Sequence, residues 1–244
     1  MTEPSPNHDF ETTHWSMVAS SREHDSEVRR ESLEQLCNLY WYPLFAFLRR
    51  KGYDPDSATD LVQGFLAELI EKKYLDDVSP AKGRFRWFLM SAVKRYASRQ
   101  IEKQKAIKRG GGRIVFSLNV EDAEKKYQLE PAENLTAEKL FDRNWALTIL
   151  QQAVENLRNE FESKGRLEFY EATQMTLSGV SMTQAEYQEI ADRFQTTPNA
   201  VKVSAMRLRQ KYRESIRLIV AQTLENGSNI DDEIEDLFRA LSGE

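Results

Sequence analysis

Hydrophobic side chains recur every three to four residues along most of this chain, which is the spacing of half-buried helices. The clearest case begins at Asp54-Pro55, where Asp can cap a helix and Pro fits its first turn. One continuous apolar stripe follows: Ala58, Leu61, Val62, Phe65, Leu66, Leu69 and Ile70. Similar spacing predicts further helices over 27–50, 84–105, 136–161, 168–177 and 230–241. The sequence therefore predicts an all-α fold, in which Pro43 is expected to kink or split the first helix.

Residues 183–213 have the pattern of a helix-turn-helix whose second helix is basic. Thr183 and Glu186 match a capping box, Thr197 can cap the second helix, and Pro198 fits its first turn. The second helix is expected to bury Val201, Ala205, Leu208 and Tyr212. Its basic residues lie away from that stripe: Lys202, Arg207, Arg209, Lys211, Arg213 and Arg217. Such a helix pair suits the major groove of DNA, and the alternative is an ordinary helical hairpin with a solvated basic face.

The helix predicted over 84–105 combines positive charge with aromatic side chains. Its expected buried stripe is Phe85, Phe88, Leu89, Ala92 and Tyr96. The other face carries Arg84, Trp87, Lys94, Arg95, Ser98 and Arg99. Lys and Arg can neutralise phosphates, and an exposed Trp can stack on an unpaired base. This pattern favours single-stranded or locally opened nucleic acid, and the alternative is a core Trp87 at the edge of a solvated basic face.

Charge is distributed unevenly along the chain. The net charge is −5, yet residues 81–113 hold eleven Lys/Arg and one acid, and residues 199–217 hold six Lys/Arg and one acid. Residues 225–244 hold seven acids and one Arg. Two basic surfaces on an acidic body favour phosphate binding at two places over indiscriminate nucleic-acid binding. The acidic helix over 230–241 either packs on its own protein or binds a partner.

Composition and motifs indicate no enzyme, cofactor or metal. The one cysteine, Cys37, excludes an intrachain disulfide and a Cys-rich zinc site, and the three histidines lie in the first 24 residues without metal-ligand spacing. Gly110 to Gly112 lack the Lys-Ser/Thr of a phosphate-binding loop, and no nucleophile–base motif is present. No apolar run approaches the roughly 18 residues of a membrane span. Because the first ten residues also lack a signal-peptide core, we expect a cytoplasmic protein without a membrane partner.

The predicted organisation has two helical domains. Residues 1–25 form a flexible segment, 26–108 the first domain, 109–135 a linker, 136–224 the second domain with the helix-turn-helix, and 225–244 an acidic C-terminal helix. A short extended segment is expected at 114–118, within the linker.

The chain resembles the extracytoplasmic-function (ECF) sigma factors of bacterial RNA polymerase. Residues 54–65, beginning Asp54-Pro55-Asp56, are similar to the family's conserved core helix. Residues 84–89 (RFRWFL) with 92–96 (AVKRY) resemble its promoter-opening segment, and 187–209 resemble its second-domain helix-turn-helix. These blocks contain about a fifth of the chain. The opening Thr12-Thr13-His14-Trp15-Ser16 and the Gly-rich break resemble a long-linker subgroup found in environmental bacteria such as planctomycetes.

The resemblance implies three contact surfaces, on a sigma region 2-like and a sigma region 4-like domain. Core RNA polymerase would dock on the polar face of the helix that follows Asp54, at Asp56, Asp60, Gln63 and Glu68. The −10 element of promoter DNA would be engaged and melted by Arg84, Trp87, Lys94, Arg95, Arg99 and Lys103. The −35 element would be read by Thr197, Asn199, Ala200, Lys202, Val203, Ser204, Arg207, Arg209 and Lys211. An anti-sigma protein or another regulatory protein is a further partner that the resemblance allows.

Two other functions compete with this interpretation. A conventional helix-turn-helix regulator would bind an operator without polymerase, and a single-strand- or RNA-binding adaptor would use residues 84–105 without promoter preference.

The acidic tail departs from the family pattern. Its charge is opposite to that of the basic surfaces, so autoinhibition is a hypothesis in which removal of 225–244 raises promoter or polymerase binding.

Overall fold

A computed structural model describes residues 26–71, 85–106, 120–130, 135–224 and 229–242. Regular structure within these residues is helical throughout and includes no strand, so the predicted all-α fold is confirmed. The chain divides into two compact units. The first contains residues 1–147 and 221–244, and the second contains residues 148–220.

The helices of the first unit are α1 (Ser26–Arg50), α2 (Pro55–Glu71), α3 (Phe85–Ala106), α4 (Val120–Gln128), the start of α5 (Ala137–Ser163), the end of α8 (Pro198–Thr223) and α9 (Ile230–Ser242). Their core is aromatic. Tyr40 of α1 contacts Phe85 of α3 edge-on at 5.5 Å and stacks on Phe141 of α5 at 6.4 Å between ring centroids. The largest side chains that are almost completely buried here include Tyr40, Phe45, Phe47, Leu66, Leu89, Phe141 and Trp145.

Pro43 does not split α1, which is helical on both sides of it. Of the two expected effects, a kink or a split, the split is wrong. Pro43 removes one backbone hydrogen bond. The residues around it, from Leu39 to Leu48, are all buried, and the packing of this segment maintains the helix.

Close packing joins α2 to its neighbours. The helix begins as predicted: the Ser57 N–H donates to Asp54 Oδ1 at 2.9 Å, and Pro55 occupies the first turn. It packs against α1, α3 and α4. A Cβ at Gly64 would collide with the Tyr96 hydroxyl of α3, so glycine at this position lets the two helices approach each other.

The segment predicted as a linker contains a helix of the first unit. Acids at Glu121 and Asp122 begin α4 and lysines end it, which matches the helix dipole. Ala123 is buried, and Glu124 of α4 forms a two-pronged ion pair with Arg49 at 2.9 Å. The extended segment expected at 114–118 lies outside the described residues.

The second unit contains the rest of α5, α6 (Leu167–Thr173), a 3₁₀ turn (Gln174–Ser178), α7 (Gln184–Arg193) and most of α8. Gly179, with φ of 81°, ends the 3₁₀ turn in the left-handed conformation that glycine adopts without strain. Two apolar clusters hold these helices together. One is built on Met182, Ile190, Ala191 and Val201, and the other on Leu157, Tyr170 and Leu208.

Candidate nucleic-acid interface

Local side-chain caps define the turn between α7 and α8. The predicted capping box is present: Glu186 N–H donates to Thr183 Oγ1 at 3.3 Å, and Thr183 N–H donates to the Glu186 carboxylate at 2.6 Å. The Thr183 N–H and hydroxyl, which both donate to the Glu186 carboxylate, lower the pKa of Glu186. At the second helix, Ala200 N–H donates to Thr197 Oγ1 at 3.2 Å, and α8 begins at Pro198 as predicted. Four residues therefore separate two well-capped helices.

The first half of α8 divides into an apolar and a polar side. Val201, Ala205 and Leu208 are buried as predicted, and Tyr212 is half-buried. Of the predicted −35 residues, Thr197, Asn199, Lys202 and Arg207 are exposed. Ala200, Val203, Ser204, Arg209 and Lys211 are half-buried. The helix thus presents a polar surface at its N-terminal end, next to the turn.

The cations of α8 differ in their partners. Lys202 and Arg207 form no ion pair with any residue that the structure describes. Lys211 instead donates to Glu160 of α5 at 2.5 Å, and Lys164 donates to the same carboxylate. The hydrogen bonds from Lys164 and Lys211 lower the pKa of Glu160. Lys202, Arg207 and Arg213 are therefore exposed cations of this helix without an ion pair to a described residue, whereas Lys211 is paired within the second unit.

The predicted −10 residues of α3 differ in exposure and in ion pairing, and some lie outside the described residues. Trp87 is 48% exposed, and Arg95 is exposed without an ion pair to any described residue. Lys94 and Arg99 are exposed but paired, Lys94 with Glu138 at 2.8 Å and Arg99 with Glu68 at 3.2 Å. Arg84 and the side chain of Lys103 lie outside the described residues. The expected stripe is buried at Phe85, Leu89 and Tyr96 and half-buried at Phe88 and Ala92.

Arg86 is the charged residue of this region that the sequence analysis missed. Its side chain is only 4% exposed and forms ion pairs with Asp142 of α5 at 3.1 Å, with Asp236 of α9 at 2.9 Å, and with Glu233 of α9. We call these four residues the Arg86 cluster. The guanidinium carbon also lies 4.6 Å from the centroid of the buried Trp145 ring. A signal was available, because Arg86 is spaced i, i+3, i+7 with the buried Leu89 and Val93.

The proposed polymerase-docking face of α2 contains fewer exposed residues than predicted. Asp56 and Asp60 are exposed. Gln63 is 9% exposed, so its placement on a solvent-facing surface is wrong. Three helices pack around α2, and they bury a wider arc than the single stripe read from the sequence. Glu68 is half-buried and accepts from Arg99.

Glu138, in the first turn of α5, joins two lysines of the first unit. Its carboxylate lies 2.8 Å from Lys94 Nζ and 3.2 Å from Lys51 Nζ, and both ammonium groups lie near the Phe47 ring. The hydrogen bond from Lys94 is the main cause that lowers the pKa of Glu138 to about 2. A carboxylate of the same chain therefore neutralises part of the positive charge of α3.

Because the folded pKa of Glu138 is below its ordinary value of 4.5, its contribution to stability is present above pH 4.5 and is lost as the pH falls toward 2. We expect Glu138→Gln to lower the free energy of unfolding by at most about 1 kcal/mol at pH 6, because the pair is partly exposed. Urea denaturation at pH 6 and pH 3 measures this difference, which should shrink at the lower pH. Glu155→Gln, at an exposed position on the same helix, is the control. A difference that stays constant between the two pH values would contradict the assignment.

Neither metal binding nor membrane crossing is indicated by the described part of the chain. No group of three or more His, Cys, Asp or Glu side chains there is arranged to hold a metal ion. None of the described helices combines the length and apolar character that crossing a bilayer requires. Comparisons with protein-family models, with curated proteins and with solved structures find no match for this chain.

Proposed function

We propose that this chain is a bacterial RNA polymerase sigma factor that binds core polymerase, recognises the −35 and −10 promoter elements and promotes DNA melting. The observation that carries the proposal is the presence of an exposed basic helix surface in each of two compact units. Trp87 and Arg95 lie on α3 of the first unit, and Lys202 and Arg207 lie on α8 of the second. A protein that only binds an operator needs one such surface. The resemblance to ECF sigma factors supports the same function.

In this proposal α7 and α8 form a helix-turn-helix that reads the −35 element. The N-terminal part of a recognition helix contacts base edges in the major groove. Arg207 can donate two hydrogen bonds to one guanine, and Lys202 can neutralise a phosphate. The half-buried Val203 and Ser204 lie between them in sequence and can contact bases only at close approach. Sequence discrimination would therefore come mainly from Arg207.

In the first unit, α3 would hold the −10 element after it opens. The exposed Trp87 ring offers a stacking surface for an unpaired base, and Arg95 offers a cation for the backbone. Melting then proceeds by capture of unstacked bases. The exposed carboxylates of Asp56 and Asp60 on α2 are the proposed contacts to core polymerase. The chain would act in the bacterial cytoplasm through contact and positioning, without covalent chemistry or a cofactor of its own.

Transcription in vitro tests this function directly. The purified chain is added to core polymerase that lacks any sigma factor, together with a library of genomic promoter fragments. We expect co-purification with core polymerase and initiation at a subset of promoters. Absence of both would reject the proposal.

The alternative is a helix-turn-helix regulator that binds an operator without polymerase. Lys94 and Arg99 of α3 are paired with carboxylates of the first unit, whereas Lys202 and Arg207 of α8 form no ion pair with described residues. This difference favours the second unit as the main DNA-binding element. Binding to one duplex sequence with equal affinity in the presence and absence of core polymerase would support this alternative.

We expect Trp87→Ala to slow promoter opening about tenfold while leaving the closed complex unchanged, because stacking of one base on an aromatic side chain is worth roughly 1–3 kcal/mol. Fluorescence of 2-aminopurine within the −10 element measures the opening rate. Leu129→Ala removes another large exposed apolar side chain of the first unit and is the control. An unchanged opening rate would remove Trp87 from the interface.

A further inference from the structure

We propose that α9 is an intramolecular competitor of nucleic acid, which occupies the N-terminal half of α3 in the free chain through the Arg86 cluster and must leave before α3 can bind DNA fully. This inference rests on the proposed function insofar as α3 is the nucleic-acid-binding helix. It adds a regulatory step that acts within one chain and requires no second protein.

The two sides of α9 differ in environment. Glu233 is 4% exposed and Leu237 is completely buried, whereas Asp231, Asp232, Glu235 and Phe238 are exposed. A glutamate that is more buried than the aromatic residue five positions later is unusual for an amphipathic helix, because charged side chains are rarely buried unless they are paired. Its partner is Arg86 of α3. The burial of α9 is therefore organised around one charged contact as well as an apolar one.

Charge complementarity connects α9 to α3. The five acids and one arginine of α9 give it a net charge of −4, and the six Lys/Arg and one Glu of α3 give that helix a net charge of +5. The acids of α9 that face α3 are the same kind of ligand that a DNA phosphate provides, an anionic oxygen on a guanidinium. A DNA phosphate and the acids of α9 would thus bind the same positive charge on α3.

The contact between Arg86 and α9 lies next to Trp87, the residue proposed to stack on a base. Trp87 follows Arg86 in the chain, and its ring lies 5.7 Å from the Arg86 guanidinium carbon. Trp87, Asp236 and Arg239 line one small cavity between α3, α5 and α9. A base stacked on Trp87 would bring its phosphates close to Asp236 and Glu233. Repulsion between these groups would oppose binding while α9 is in place.

The ion pairs of the Arg86 cluster can also separate, which would let α9 leave α3. Three carboxylates converge on one guanidinium, and Arg239 compensates part of this excess through its ion pairs with Asp236 at 2.7 Å and Glu235 at 2.9 Å. Desolvation of charged groups offsets most of the Coulombic attraction in a buried ion cluster, so the net free energy that holds it closed is small. Since α9 is covalently attached, it rebinds readily when the competitor leaves.

Matched charge substitutions in the full-length chain test this competition. E233Q/D236N weakens the contact with Arg86, and D231N/D232N makes the same change in net charge on the exposed side of α9. The probe is a fluorescein-labelled single-stranded DNA oligonucleotide with a −10-like sequence, titrated by fluorescence anisotropy. If α9 is closed in about nine-tenths of the molecules, its release raises the apparent affinity about tenfold. We expect this rise for E233Q/D236N and a change of less than about twofold for D231N/D232N.

Each outcome has a distinct meaning. Equal affinities for the parent chain and both variants overturn the inference and leave the proposed function standing. Equal rises for the two variants show an effect of net charge alone and also overturn it. If none of the three chains binds the oligonucleotide and none supports initiation with core polymerase, the proposed function fails together with the inference.

Hydrogen exchange on the unmodified chain keeps the inference testable if E233Q/D236N does not fold. Amide exchange of residues 230–242 is compared with and without a saturating concentration of the oligonucleotide. Displacement of α9 predicts faster exchange in α9 and slower exchange in α3. Protection of α3 with unchanged or slower exchange in α9 would overturn the inference.

Discussion

Replacing Arg86 with methionine should lower the free energy of unfolding of the first unit by about 1–3 kcal/mol. This is less than the roughly 3–5 kcal/mol usual for removing one partner of a buried ion pair, because α9 can leave in the proposed competition and expose two of the three carboxylates to water. Methionine preserves much of the side-chain length, so the loss arises mainly from charge. Asp142, Glu233 and Asp236 would then lack the guanidinium that they share. Urea denaturation followed by circular dichroism and tryptophan fluorescence measures the change.

Arg95→Met is the matched control for this substitution. Arg95 lies on the same helix, is exposed, and forms no ion pair with a residue that the structure describes. Its replacement should change stability by less than about 0.5 kcal/mol. Adding Glu233→Gln to Arg86→Met should recover part of the loss, because one uncompensated buried carboxylate is removed. Equal stability of the Arg86→Met and Arg95→Met chains would show that the Arg86 cluster is not formed in solution.

Replacing Arg207 with alanine should weaken binding to the preferred promoter by about 1–3 kcal/mol, or roughly 5- to 150-fold, and relax specificity at one base pair. The residue is exposed in the third turn of α8, the proposed recognition helix, on the polar side that would contact base edges. Lys202→Ala should instead weaken binding to all sequences alike. It should also reduce the slope of log affinity against log salt concentration by about one. Competition assays between promoter variants at several salt concentrations, with the polymerase holoenzyme, separate the two effects.

Arg213→Ala is the control for these DNA-binding variants. Arg213 is exposed on the same face of α8 as Lys202 and lies 11 positions later, which is about three helical turns. It also lies nearly two turns beyond Arg207, so it would not contact the same bases if α8 is the proposed recognition helix. An equal loss of affinity for Arg207→Ala and Arg213→Ala would indicate that α8 attracts DNA only through its overall charge.

Features determined by neighbouring residues were predicted well. The capping box at Thr183 and Glu186, the start of α8 at Pro198 and the cap at Asp54 each depend on groups within three residues of one another. The period of the apolar residues gave the helices other than α4, since one stripe per helix is enough to bury a side. These signals are local and can be read from the chain directly.

Features determined by packing between distant segments were missed. Pro43 lies within an unbroken helix because buried neighbours surround it, and Gln63 is buried because three helices pack around α2. Arg86 was read as one of several basic residues, although its partners come from α5 and α9, up to 150 positions away in the chain. No spacing within α3 identifies those partners. Which cations are accessible to a ligand depends on the tertiary structure.

The close approach at Gly64 has a mechanical consequence. Because the Tyr96 hydroxyl fills the space where a side chain would begin, a larger residue at position 64 would have to displace this hydroxyl or move α2 away from α3. Asp60 lies about one turn before Gly64 on α2, and Arg95 precedes Tyr96 on α3. If an enzyme binds the first helix and an opened strand binds the second, the separation of the two contacts depends on the size of one residue.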